Sequence, residues 1–293
     1  MLNEGNRVNT EQWPFVQVDV FAHEVWQGNP VTVFYDVPAQ MEKEALQALA
    51  REMHGPETLF VTECSDGSRV CLARLFTPER ELSSLGHAAL GAYYVLQQQG
   101  KTQEGSIHLA AAKESVVCHE DDQQWIWMAT APLMVKGLAT AVGEWLNQCG
   151  LGHTAINGMM PPAWVPSELP QILVFVNSVQ DLAKIHVSRE HLLTMDQEWG
   201  AKGLYALALS GAGAFTARYF SEHYLVAPAA AAMALGSYLL YCAGETQARR
   251  FVVTTTDERF SEVHVRLNTQ RPGSLEIGGH VVASVRGAVS LGR

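Results

Sequence analysis

Apolar and polar positions alternate at the start of the chain: Val16, Val18 and Val20 interleave with Gln17 and Asp19, the two-residue period of a half-buried strand. The residues ahead of it, 1–13, are mostly polar and read as a flexible lead-in. After the loop HEVWQGNP the pattern predicts a strand over 30–35 and a helix over 42–53, with Leu46, Leu49 and Met53 on one face, acidic residues early and Arg51 late. Strands are expected at 58–62 and 69–76. The polar turn TPERELSS then leads into a small-residue helix over 86–98, followed by strands at 106–109, 115–118 and 124–128.

The second half opens with a predicted helix over 138–149, a Pro/Gly-rich loop (NGMMPPAWVP), an apolar strand at 172–176 and two short helices. Strands at 204–209 and 215–220, a helix over 229–242, and strands at 250–255, 263–267 and 280–285 complete the pattern. The segment RPGSLEIGG, 271–279, reads as a turn ahead of the last strands. Strands outnumber helices, which argues against a doubly wound parallel sheet, where each strand would carry its own crossover helix. The expected class is α+β, with mixed, mostly antiparallel sheets.

One internal echo organises the chain. Ala73-Arg74-Leu75-Phe76 and Ala217-Arg218-Tyr219-Phe220 both end a strand and precede a small-residue helix, and Arg218 stands 144 positions after Arg74. The same offset carries His87 onto Ala231, so the two helix starts coincide as well. This predicts two similar domains, 14–130 and 131–293, with the last strand packing back on the first. Related by a pseudo-twofold axis, the two helix N-termini can face each other across a cleft, where unpaired N–H groups suit a carboxylate or a developing oxyanion.

Composition narrows the function classes. The chain has 293 residues, 20 basic against 30 acidic and a formal net charge of −10, so nucleic acid and anionic membrane are not expected partners without a basic run, and none exists. Five scattered cysteines, never spaced Cys-x-x-Cys, read as reduced thiols, and the acidic, polar N-terminus does not resemble a signal peptide; a cytoplasmic location is expected. The apolar stretch 224–243 is alanine-rich and broken by Pro228 and Gly236, which suits a buried helix. Trp125 and Trp127 read as core or interface residues.

Three segments resemble the phenazine-biosynthesis PhzF-like isomerases, which share the two-domain fold of diaminopimelate epimerase: VDVFAHEVWQGNPVTVF (18–34), LAREMHGPETLFV (49–61) and LFTPERELSSLGHAALGAYYVL (75–96). The resemblance implies that Glu57 is a general acid/base, moving a proton between two carbons of a small cyclic amino acid, and that His87 positions the substrate or stabilises developing charge. It further implies substrate-binding roles for Asn29, Gly86 and the helix start at Ala231 and Ala232, no cofactor, and a homodimer; no metal site is expected, because the eleven histidines are spread out and form no His-Glu-x-x-His. A closed, poorly hydrated cleft would raise the carboxylate pKa toward the operating pH.

The second half departs from the family pattern. Where aspartate-proline and then threonine-glycine-serine are expected, the chain reads Val226-Ala227-Pro228-Ala229-Ala230-Ala231-Ala232, and TTTDERFSEV (254–263) replaces a glycine-arginine-proline signature. Backbone N–H groups survive these changes; polar side chains do not. The two-thiol racemase variant of the fold is not expected, because His87 and Ala231 occupy the cysteine positions. The expected function is a cofactor-independent isomerase of secondary metabolism with Glu57 as acid/base. The alternatives are a catalytically silent member binding a metabolite or partner protein, and a Glu57-dependent elimination. Glu222 and Asp257 are candidates to replace the missing aspartate.

Overall fold

The structure, a computed structural model, describes residues 12–62, 70–101, 106–110, 115–138, 141–222, 229–242, 249–255, 259–268 and 274–290. The first half runs β1 (Gln12–Val20), β2 (Asn29–Val37), α1 (Lys43–Glu52), β3 (Thr58–Thr62), β4 (Val70–Phe76), β5 (Glu81–Leu82), α2 (Ala88–Gln98), β6 (Ser106–Ala110), β7 (Ser115–Glu120) and β8 (Ile126–Thr130). The second half runs β9 (Lys136–Gly137), α3 (Ala141–Gln148), β10 (Ala163–Val165), β11 (Gln171–Val176), α4 (Val179–Ala183), α5 (Arg189–Trp199), β12 (Gly203–Gly211), β13 (Ala214–Ser221), α6 (Ala229–Cys242), β14 (Arg249–Thr255), β15 (Ser261–Asn268), β16 (Ser274–Gly279) and β17 (Val281–Ser290).

The pairing pattern repeats. From β1 through β2, β3, β4, β6 and β7 to β8 the successive pairs are antiparallel, parallel, antiparallel, parallel, antiparallel and antiparallel. From β10 through β11, β12, β13, β14 and β15 to β16 the same six relations recur in the same order. The two series join where β8 and β16 pair antiparallel. They also exchange ends: β17 pairs with β1, and β9 pairs with β10. The strand-turn-helix echo is therefore one unit of a longer structural repeat, and the fold is the α+β arrangement of two similar domains.

Each repeat encloses one helix. In α2, Ala88, Ala89, Leu90, Gly91, Ala92, Tyr93, Val95 and Leu96 are all buried, and in α6 Ala229, Ala231, Ala232, Ala234, Leu235, Tyr238 and Leu239 are buried. A helix apolar on every side must be covered on every side, and curved sheets do this. Small residues allow close approach: a Cβ on Gly91 would lie 2.9 Å from Val18 Cγ2, and one on Gly236 would lie 2.9 Å from Val265 Cγ1. Both helices belong to one continuous core that includes Leu90 and Leu235.

The remaining helices cover outer faces. Leu46, Leu49 and Ala50 of α1 pack on Phe34, Phe60 and Phe76, as the periodicity of that segment implies. Trp145 and Leu146 of α3, Leu182 of α4 and Met195 of α5 pack with Ile172, Val174, Leu204 and Ala206. Among the described residues, no helix is long and apolar enough to cross a membrane.

Three expectations need correction. Residues 274–279 form β16, a strand flanked by β8 and β15, where a turn was expected. Its Leu275 and Ile277 alternate into the core, and its glycines permit close packing: a Cβ on Gly278 would sit 2.5 Å from Trp127 Cε3 and one on Gly279 2.7 Å from Phe21 Cδ1. The lead-in is shorter than 13 residues, because β1 begins at Gln12 and Trp13 is buried against the α1 cluster. Cys71 is disulfide-bonded, whereas Cys118 and Cys149 are free and buried. Disulfide formation depends on approach in space, which spacing along the chain does not report.

Gly278→Ala should cost about 1–3 kcal/mol by overpacking Trp127. Thermal unfolding should show a clear drop in Tm, with Gly137→Ala as the control, since a Cβ at Gly137 meets nothing within 4 Å. An unchanged Tm for the Gly278 variant would contradict the close approach of β16 to β8.

Candidate active site

Glu57 is aimed by strand alternation. It immediately precedes β3, whose Leu59 and Val61 face the α2 core while Phe60 faces the outer α1 cluster, so a residue in phase with Leu59 and Val61 points toward α2. Its backbone carbonyl accepts the Thr32 N–H at 3.1 Å, and Thr58 is paired with both Thr32 and Phe76. The chain enters this position through His54 in the left-handed region (φ 52°), Gly55 and Pro56. Both the carboxylate's height in the sheet and its direction are thus fixed by backbone pairing.

His87 is the N-cap residue of α2, reached through Gly86 at φ +50°, a conformation glycine adopts without a Cβ penalty. The turn is closed by Ala88 N–H to Leu85 O at 3.0 Å and Ala89 N–H to Gly86 O at 3.3 Å. The imidazole Nε2 stands 3.4 Å from Glu57 Oε2. Glu57 and His87 are each only 4% exposed. Burial pushes the His87 pKa down to about 4, so the ring is neutral at pH 7.

These two residues and Gly86 line a cavity of about 530 Å³, within the size range of small-molecule sites. Ala229, Ala230 and Met233 at the start of α6 line it from the other repeat, as does the crossover segment Thr130, Ala131, Pro132 and Leu133. Ser237 ties that crossover to α6, accepting the Leu133 N–H at 2.8 Å and donating to Met233 O at 2.6 Å. The starts of α2 and α6 both reach the cavity, bringing the positive ends of two helix dipoles to it. Among the described residues that line the cavity there is no lysine or arginine, and its two carboxylates are Glu57 and Glu168.

The other expected site residues fall elsewhere. Ala231 and Ala232 are buried in the central core, and the face of α6 that lines the cavity is instead Ala229, Ala230 and Met233. Asn29 is buried at the first position of β2, paired with Val20, and is not among the cavity-lining residues. Ala227, Pro228 and Asp257 lie outside the described residues. Glu222 pairs with Arg189 at 2.8 Å on exposed surface, so the second carboxylate of the cavity is not this one. Sequence reasoning missed Glu168, Ser83 and Ser84. Glu168 meets the two serines across 84 and 85 residues of chain, and no local pattern marks such a contact.

Trp125 and Trp127 have a structural role. Arg250 lies over both rings (4.6 and 5.3 Å) and Arg266 over Trp127 at 3.8 Å, while His264 and His280 pack on Trp125 at 3.9 and 4.2 Å between centroids. This stack straddles the β8–β16 joint.

The sequence profile of the family described as "Phenazine biosynthesis-like protein" matches residues 18–287. The chain belongs to this family. Among curated relatives of this phenazine biosynthesis-like protein, the trans-2,3-dihydro-3-hydroxyanthranilate isomerase of Pseudomonas chlororaphis is 36% identical over 121 residues, covering 37% of the chain and 42% of the relative. Alignments with two further relatives, from Schizosaccharomyces pombe and Pasteurella multocida, cover 63% and 55% of those proteins, so the chain matches little more than half of their length. A structure called a predicted epimerase, from Pseudomonas aeruginosa, superposes with a TM-score of 0.77 at 26% identity, covering 94% of this chain and 99% of that one. A PhzF-family structure from Bacillus anthracis gives a TM-score of 0.80 at 17% identity, covering 96% and 100%.

The depressed His87 pKa has a consequence for stability. Because the folded value of about 4 lies below the value near 6.5 expected for an unfolded chain, the unfolded state takes up the proton first on acidification. The associated stability is present above pH ~6.5 and lost as pH falls toward 4, by on the order of 3 kcal/mol. Denaturant unfolding between pH 7.5 and 4.5 should therefore show a shallower pH dependence for His87→Gln than for the unaltered protein; equal slopes would contradict a neutral buried imidazole.

Proposed function

We propose that this chain is a cofactor-independent isomerase that moves a proton between two carbons of a small, carboxylate-bearing, cyclic amino acid-like substrate, with Glu57 as the shuttling acid/base. The observation that carries the reading is the contact of Glu57 with a neutral His87, 3.4 Å apart, both buried in one 530 Å³ cavity. The isomerase name borne by the P. chlororaphis relative supports the reaction class.

In this reading a Glu57 carboxylate oxygen takes a proton from one substrate carbon and the resulting acid returns it to another. No electrons leave the substrate, and enzyme and proton inventory are restored. Exclusion of water favours this, because a desolvated carboxylate is a stronger base and holds its proton until it is delivered. His87, kept neutral by burial, offers a hydrogen bond without donating a full charge. A substrate carboxylate would be met by the positive dipole ends of α2 and α6, there being no lysine or arginine in the described lining. The apolar face of Ala229, Ala230 and Met233 would lie against the hydrocarbon part of the ring. The loss of polar side chains in the second half then redirects substrate preference and leaves the proton shuttle in place.

The test uses trans-2,3-dihydro-3-hydroxyanthranilate as the first candidate substrate, in heavy water. Isomerised product should carry solvent deuterium at the newly protonated carbon, and Glu57→Gln should lower turnover by about 10²-fold or more. Full activity in the Glu57→Gln variant, or isomerised product without deuterium when exchange with solvent is allowed, contradicts the shuttle.

A further inference from the structure

The cavity has a buried end and a partly exposed end. Glu57 and His87 form the first. At the second, Glu168 reaches from the loop between β10 and β11 to the segment just ahead of α2, where its Oε1 accepts the Ser83 N–H at 2.9 Å and its Oε2 accepts the Ser84 N–H at 3.0 Å. Arg80 Nη1 stands 3.8 Å from the same carboxylate. Glu168, Ser83 and Ser84 all line the cavity.

Both sides of this contact are stiff. Glu168 sits between Pro166 and Pro170, whose rings fix φ. Within the loop Ser167 Oγ donates to Leu169 O at 2.6 Å and accepts Leu169 N–H at 3.1 Å, while Gln171 Nε2 donates to Leu169 O at 2.6 Å. Opposite, the turn at Thr77 is closed by Thr77 N–H to Arg80 O at 2.8 Å, and Glu81 is held by Arg74 at 2.7 Å and Lys43 at 3.1 Å. A charge-assisted bond between two pre-organised loops loses little entropy on forming, and it is broken by moving one loop as a unit.

We propose that Glu168 is a cross-cleft latch: its bonds to the Ser83 and Ser84 amides hold the loop before α2 against the β10–β11 loop and narrow the partly exposed end of the cavity, and they open to admit and release ligand. Glu168 acts on access and on the position of the α2 start, as a positioning residue. Two backbone amides and the nearby Arg80 stabilise the Glu168 charge when the latch is formed. This inference goes beyond the proposed reaction and does not need it, since closure can be read without turnover.

The experiment compares the protein with its Glu168→Ala and Glu168→Gln variants by two readouts. In hydrogen exchange, the Ser83 and Ser84 amides should exchange at least about tenfold faster in Glu168→Ala, with Glu168→Gln between, while amides of α2 beyond its first turn stay protected. In a background carrying Ala230→Cys, alkylation of the cavity thiol by iodoacetamide, followed by peptide mass spectrometry, should accelerate in both variants, by about tenfold in Glu168→Ala and by less in Glu168→Gln. Unchanged exchange at Ser83 and Ser84 overturns the contact, and unchanged alkylation overturns the gating role. Because Glu168→Gln keeps the side-chain size, it decides the matter if Glu168→Ala folds poorly. Neither readout depends on Glu57 chemistry, so failure of the latch and failure of the proton shuttle are separable.

Discussion

Two helices that are apolar all round set the terms for this fold. Neither α2 nor α6 has a polar stripe to turn toward water, so each must be enclosed by sheet, and only a helix end is left for function. Small residues at Gly91 and Gly236 let the strands close to van der Waals contact. The repeated series of strand pairings, the β8–β16 joint and the exchanged strands β17 and β9 are the means by which two such enclosures share a single core. The cavity forms where the two helix starts meet, because that is where enclosure stops.

The chemistry at that point follows from the same enclosure. Backbone pairing aims Glu57 inward, and burial of His87 keeps the imidazole uncharged beside it. A buried carboxylate with a neutral imidazole 3.4 Å away, flanked by two helix dipoles, is an arrangement suited to taking and returning one proton. The wall formed by Ala229, Ala230 and Met233 adds shape and no charge, and Glu168 spends its charge on backbone amides at the rim.

How far this could be read from the chain differs by element. The stripe of Leu46 and Leu49 marked α1 and its buried face, because an amphipathic helix writes its orientation into its period. The all-apolar helix α6 was legible as an element, but not in rotation: with alanine on every side, nothing distinguished Ala231 and Ala232, which pack in the core, from Ala230, which lines the cavity, and Ala229, which does both. Glycine misled at β16, where Gly278 and Gly279 serve close packing against Trp127 and Phe21 while carrying the composition of a turn. Glu57 and His87 stood out through family resemblance, since a lone glutamate before a strand carries no signal of its own. Glu168 was invisible, because its partners are backbone N–H groups far away in sequence.

The central claim is that enclosure of the helix start keeps His87 neutral beside a buried Glu57. Nitrogen-15 NMR of histidine-labelled protein tests it directly, with His87→Gln used to assign the resonance. The account predicts an imidazole that remains neutral at pH 5.5 and titrates near the depressed value of about 4. A His87 signal that titrates near 6.5, as an exposed histidine does, would contradict it.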